Sequence, residues 1–254
     1  MEFEELIVKR PNKEVYKDND KIIKLFVEEY SKSNILNEAV NQARIEETNI
    51  NVPSLLEVTK IDNRWALILE YIDGTPLDKL MNKYPEKEME YLELFVDMQL
   101  KVLSQKSPLL GRIKDKMKRK ITETHIIGND IKCELLQRLE GIQTEYCVCH
   151  GDFNPSNVII KPDGEIYVID WAHVTQGSQV FDAARTYLLF CLEGKEKLAA
   201  KYVNLFVQKS GINKKDILKC VPIVACTQKM KGVQEEQDML ERWIDVVDYM
   251  WAAL

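Results

Sequence analysis

The chain has 254 residues, with 35 Lys+Arg against 41 Asp+Glu and a formal net charge of −6. With 45% hydrophobic and 30% charged residues, 10 Gly and 8 Pro, it is neither collagen-like, low-complexity nor disordered in composition. Its length suits one large domain or two modest ones. No apolar run approaches the ~20 residues of a membrane span, and the acidic start Met1-Glu2-Phe3-Glu4-Glu5 lacks a signal peptide's basic region. The expectation is a cytoplasmic protein with neither a membrane nor a nucleic acid as partner. Cys133, Cys147, Cys149, Cys191, Cys220 and Cys226 form no CxxC pair, so neither a disulfide framework nor a zinc finger is expected.

In chain order, 14–17 and 21–27 read as short strands around the turn Asp18-Asn19-Asp20. Residues 34–47 switch to helical spacing, with Ile35, Leu36, Ala39, Val40 and Ala43 on one expected apolar face. Two strands, 55–61 and 65–71, flank Asp62-Asn63. Thr75 reads as the cap of a helix whose first residue is Pro76. Residues 77–141 are helical, punctuated by Pro85, the 108–111 stretch and Gly128. A strand-rich interruption spans 146–171, and beyond Val180 the pattern is helical again. The expected division is residues 1–72, rich in strands, and 73–254, mostly helical.

The interruption carries the chemistry. Val158–Ile160 and Ile166–Ile169 are β-branched runs around Lys161-Pro162-Asp163-Gly164, the signature of a hairpin. With 161–164 as the loop, Ile160 faces Glu165 and Asn157 faces Val168. Asn157 and Asp170 are then offset by two positions across the ladder, roughly 7–8 Å apart. A carboxamide and a carboxylate so placed suit a hard cation. Magnesium takes few protein oxygens and fills its shell with water and phosphate. Asp152, five residues before Asn157, is placed to orient an acceptor hydroxyl and accept its proton.

His150-Gly151-Asp152-Phe153-Asn154-Pro155-Ser156-Asn157, followed by Val168-Ile169-Asp170-Trp171, resembles the catalytic segment of the aminoglycoside phosphotransferase and choline kinase family. The resemblance implies an α+β, protein-kinase-like two-lobed fold, with a small antiparallel-sheet N-lobe and a larger, mostly helical C-lobe. It makes Asp152 the catalytic base and Asn157 and Asp170 the Mg2+ ligands. Lys24 becomes the strand lysine on the nucleotide phosphates and Glu38 its ion-pair partner. Glu70 and Ile72 then flank the connection whose backbone meets the purine, and Asp182 braces the catalytic loop or caps its own helix. The implied activity moves the γ-phosphate of ATP or GTP to a small-molecule hydroxyl. The alternatives are a catalytically weak kinase-fold nucleotide- or partner-binding protein, and a protein kinase.

Two departures bear on these alternatives. No glycine precedes Leu55, and Lys9–Glu14 stands where kinases use a glycine-rich phosphate loop. Only residues 171–181 separate Asp170 from Asp182, too few for a peptide-binding activation segment. The acidic C-terminal stretch (Glu235, Glu236, Asp238, Glu241, Asp245, Asp248) reads first as the wet face of an amphipathic helix. Second, it reads as an attraction for a cationic acceptor, with Trp243, Tyr249 and Trp251 as a candidate cage. The basic run from Lys114 to Lys120 reads as a solvated helix face.

Overall fold

The computed structural model describes residues 3–245. In chain order its elements begin with β1 (Glu5–Arg10), β2 (Lys13–Asp18), β3 (Lys21–Phe26), α1 (Lys32–Glu46), β4 (Leu55–Ile61), β5 (Arg64–Glu70), β6 (Thr75–Pro76), α2 (Leu77–Lys83) and α3 (Glu88–Leu103). They continue with α4 (Ile113–Glu123), α5 (Asn129–Glu140), β7 (Cys147–Cys149), β8 (Val158–Ile160), β9 (Ile166–Val168), β10 (Thr175–Gly177), α6 (Gln179–Leu192), α7 (Glu196–Ser210), α8 (Lys214–Lys229) and α9 (Gln237–Asp245). The chain divides into two compact units, Met1–Tyr91 with Pro155–His173, and Leu92–Asn154 with Val174–Leu254.

The first unit is built on a five-stranded antiparallel sheet in the order β1-β2-β3-β5-β4. Asn19, Asp62 and Asn63 all adopt positive φ, which short polar side chains tolerate in tight hairpin turns. Alternation along β3 sends Ile22, Lys24 and Phe26 to one face and Ile23 and Leu25 to the other. Phe26, Leu67 and Leu69 pack with Ile35 and Ala39 of α1, while Ile23, Leu25, Ala66 and Ile68 form a separate cluster. The hairpin β8–β9 belongs to this unit and adds β6 at its edge. Asn51 ties the hairpin down: its carbonyl accepts from the Val168 N–H at 3.0 Å, and its amide donates to the Ile166 carbonyl.

Several expectations are corrected here. β1 had no counterpart in the strand pattern; it lies at the sheet edge, with all six residues exposed. Thr75 caps no helix, because Thr75 and Pro76 pair with Ile160 and Ile159, and the helix starts one residue later. The hairpin register shifts by one: Val158 pairs with Val168 and Ile160 with Ile166. Lys161 N–H donates to the Glu165 carbonyl, leaving a three-residue loop that ends on Gly164 at φ 89°. That positive φ turns the chain back one residue later than a four-residue loop would.

In the second unit, α8 is the buried centre: Cys220–Lys229 is buried without interruption, and α4, α5, α6, α7 and α9 pack against it. The short pair β7–β10 runs antiparallel beside α4 and α6. The buried thiol of Cys149 has the carbonyls of Cys147 and Ser178 as acceptors within reach of its one proton, and burial pushes its pKa well above the usual thiol value. Such a thiol is neither nucleophile nor metal ligand. Among the described residues, no group of three His, Cys, Asp or Glu could hold a metal ion.

Candidate active site

In the first unit, β3 and α1 bring Lys24 and Glu38 together. The Lys24 ammonium lies 2.8 Å from Glu38 Oε1 and 2.8 Å from Asp170 Oδ1. Lys24 is 8% exposed and Glu38 7%, so both charges are largely withdrawn from water. Burial alone would lower the lysine pKa, but Asp170 and then Glu38 outweigh it and hold Lys24 above the ordinary lysine value. The lysine is therefore charged and aimed. Glu38 also has Lys13 3.9 Å away. Lys13 is buried and lowered, first by burial and then by the Lys24 charge.

Asp170 takes positive φ (63°) two residues after the end of β9, a conformation disfavoured for a non-glycine residue and common at functional turns. Asn157 ends a short helical turn, is 9% exposed, and accepts the Ile169 N–H through its backbone carbonyl at 2.9 Å. Asn157 is thus opposite Ile169, next to Asp170 in the chain, rather than opposite Val168. The donor set that the resemblance assigns is one carboxylate and one carboxamide, each able to present an oxygen. It fits a magnesium ion that keeps waters and phosphates, and it does not fit a softer metal.

Glu70 closes β5 against the segment before β4. Its N–H donates to the Ser54 carbonyl, and its carboxylate accepts from the Ser54 N–H and hydroxyl. The next N–H, of Tyr71, donates to the Asp20 carbonyl. Ile72 follows in the strand-free connection between β5 and β6.

The second unit carries Asp152 on a tightly braced loop. Asp182 is no helix cap, since Ser178 holds that position. Instead its buried carboxylate accepts the Gly151 N–H at 2.7 Å and the Gln99 amide at 3.2 Å. Burial raises the Asp182 pKa, and the bonds from Gly151 and Gln99 oppose that rise. Gly151 has φ 80°, the left-handed geometry that favours glycine at this corner. Thr186 donates to the Phe153 carbonyl at 2.7 Å, Gln99 donates to Thr186, and Tyr202 donates to Gln99 at 2.7 Å. The Asn154 amide donates to the Asp152 carbonyl, and the Asp152 N–H donates to His150 Nδ1.

Sequence reasoning missed Gln99, Thr186 and Tyr202, and it gave Arg185, the nearest cation after Asp182, no role. Gln99 and Tyr202 lie on other helices, far along the chain, and only folding brings them to the loop. Arg185 of α6 places its guanidinium 3.1 Å from Asp152 Oδ1 and is 8% exposed. The basic run of α4 is also not uniformly a wet face. Lys118 and Lys114 reach Glu140, its carboxylate and carbonyl respectively, whereas Lys116 and Lys120 are half-buried and feel the Arg185 charge.

The C-terminal acids are partly engaged within the unit: Glu241 pairs with Lys229, and Glu236 accepts from Gln228. Trp243 packs edge-on against Tyr187. Tyr249, Trp251 and Asp248 lie outside the described residues.

No curated protein sequence matches the chain. Among solved structures, a thermostable mutant of aminoglycoside phosphotransferase APH(4)-Ia in a ternary complex with AMP-PNP and hygromycin B is 12% identical. That match has a TM-score of 0.69 and covers 95% of this chain and 91% of that one. A choline/ethanolamine kinase family protein from Mesorhizobium loti is 13% identical, with a TM-score of 0.59, covering 95% and 84%. Choline kinase LicA from Streptococcus pneumoniae is 15% identical, with a TM-score of 0.61, covering 94% and 87%. These likenesses establish the kinase-like fold: an antiparallel-sheet N-terminal region and a helical C-terminal region. A family model described as the phosphotransferase enzyme family (APH) matches residues 9–209, and the chain belongs to that family.

Proposed function

We propose that this phosphotransferase moves the γ-phosphate of ATP to a hydroxyl of a small molecule, with Mg2+ as cofactor. The observation that carries the reading is the buried Lys24, held at 2.8 Å by both Glu38 and Asp170. A lysine fixed and charged in this way is the group that grips nucleotide phosphates in this chemistry. Lys24 and Glu38 then act on the nucleotide, and the backbone at Glu70 and Ile72 meets the base. Asn157 and Asp170 hold the magnesium ion, which when bound neutralises phosphate charge. Asp152 orients the acceptor hydroxyl and takes its proton as the oxygen attacks phosphorus.

Arg185 keeps the Asp152 carboxylate in one orientation, and Asp182 holds the loop that carries it. A small acceptor is favoured over a protein because α6 begins at Gln179, leaving no room after Asp170 for an extended peptide platform. ATP is favoured as donor because a structural neighbour was solved with its analogue.

The test is thermal shift with Mg–ATP for the wild type and Asp170→Ala, with ATP turnover measured alongside. Magnesium-dependent stabilisation in the wild type and its loss in the variant are expected. A variant that keeps the full magnesium-linked shift would overturn the assignment.

A further inference from the structure

Resting on the phosphotransferase reading, we infer that the acceptor is an anion: a hydroxyl-bearing small molecule that also carries a phosphate or carboxylate group. The observation is a set of cations that includes the Arg185 partner of Asp152. Arg185 is 8% exposed and 3.1 Å from the Asp152 carboxylate. Lys116 and Lys120 stand one turn apart on α4, so they share a helix face, and α4 packs on α8. Lys231 follows the end of α8, its N–H bonded back to the Gln228 carbonyl. Lys116 feels Lys120, Lys231, Arg119 and Arg185, and Lys231 in turn feels Arg185, Lys120 and Asp152. Lys116, Arg119 and Lys120 of α4, Arg185 of α6 and Lys231 after α8 therefore form one set of interacting cations, of which Arg185 and Lys231 act on the carboxylate proposed to take the acceptor proton. The anions that act on Lys231 are Asp152 and Glu236.

Packing like charges together is unfavourable in a half-buried setting, and the cost has a physical marker. Burial, then Lys120 and Lys231, bring the Lys116 ammonium down to about 8. An anion placed among these groups removes the repulsion and gains charge-assisted hydrogen bonds. A quaternary ammonium or a polyamine placed there would add to the repulsion. Of the acids that suggested a cationic acceptor, Glu241 is paired with Lys229, and Glu236, held by the Gln228 amide, acts on Lys231 alone among Lys116, Lys120 and Lys231.

The test uses inorganic phosphate as the probe, by isothermal titration calorimetry, with and without saturating Mg–AMP-PNP. The wild type is compared with the double variant Lys116→Gln/Lys120→Gln. Phosphate binding that persists beside AMP-PNP and weakens about tenfold or more in the double variant is expected, with AMP-PNP affinity unchanged. Absence of phosphate binding, or a double variant that weakens AMP-PNP instead, would overturn the proposal. Failure of AMP-PNP to bind strikes the nucleotide reading separately, and the nucleotide-free titration still tests the anion site.

A second arm measures Mg–ATP-dependent phosphorylation of glycerol 3-phosphate and glycerate against choline and kanamycin. Faster transfer to the anionic pair supports the proposal. Preferential transfer to choline or kanamycin refutes it while leaving the phosphotransferase reading intact.

Discussion

The Asp152 carboxylate and the Arg185 guanidinium are 3.1 Å apart, so the residue proposed as base is positioned by a neighbour as well as by its own loop. Asp152→Asn keeps the size and the hydrogen-bonding side chain but cannot accept the acceptor proton. Turnover should fall about 10²–10⁴-fold with the melting temperature nearly unchanged, and steady-state kinetics with calorimetry checks both. Glu38 makes a different prediction because it is buried on Lys24. Glu38→Ala removes one of two carboxylates from that ammonium and should destabilise the protein by about 2 kcal/mol, a drop of roughly 4–8 °C in Tm. It should also raise the KM for ATP more than it lowers kcat. An unchanged KM for ATP would detach Glu38 from nucleotide binding.

At the scale of elements, α1 shows how a charged pair can override a hydrophobic pattern. The apolar spacing pointed to a buried face of Ile35, Leu36, Ala39, Val40 and Ala43. The structure buries Ile35, Glu38, Ala39, Asn41, Gln42 and Ile45 instead, and leaves Leu36 40% and Val40 44% exposed. The helix is turned so that Glu38 reaches Lys24 and the Gln42 amide reaches the Pro53 carbonyl. A buried polar group costs too much unless it is paired, so these partners help set the rotation that apolar area alone did not.

The two-residue strand β6 imposes a similar local demand. A Cβ on Gly74 would lie 2.7 Å from the Ile160 carbonyl oxygen and 2.6 Å from Ile159 Cγ2. Gly74→Ala should therefore cost about 1–3 kcal/mol by overpacking, read as a lowered denaturant midpoint. An unaffected midpoint would mean the strand pair relaxes without loss.

Across the whole molecule, the −6 net charge conceals a local excess of cations in the second unit. This placement gives a pH dependence with two opposite signs. Lys116 is faced by Lys120 and Arg119 on α4, by Arg185 on α6 and by Lys231 after α8. Lys231, exposed as a residue, also has its ammonium brought down to about 8, first by the protein around it and then by Arg185, with Asp152 and Glu236 opposing. Both lysines therefore lose their protons near pH 8 in the folded protein and above pH 10 when unfolded. Between those values the unfolded chain binds more protons, so these two groups make stability rise with pH. Affinity for an anionic acceptor falls over the same range, and should already weaken as pH passes 8. Phosphate titrations from pH 6.5 to 9.5 check this, and Lys116→Gln should flatten the curve.

The block from His150 to Trp171, proposed as catalytic, stood out in the chain because its pattern is local. Asn157 and Asp170 lie at the two ends of one hairpin, and turn chemistry with β-branched runs reports that relation directly. Lys24 and Glu38 were legible only through the family resemblance, since an alternating strand and an amphipathic helix give each an ordinary reading. The sequence by itself determined the strand-rich and helix-rich regions and the existence of the hairpin. Tertiary structure decided the hairpin register, the rotation of α1, the Gln99–Thr186–Tyr202 brace and the cation cluster that includes Arg185. Each of those depends on which polar groups meet in places withdrawn from water. Residues as distant as Gln99 and Tyr202 acquire that relation only when the helices pack.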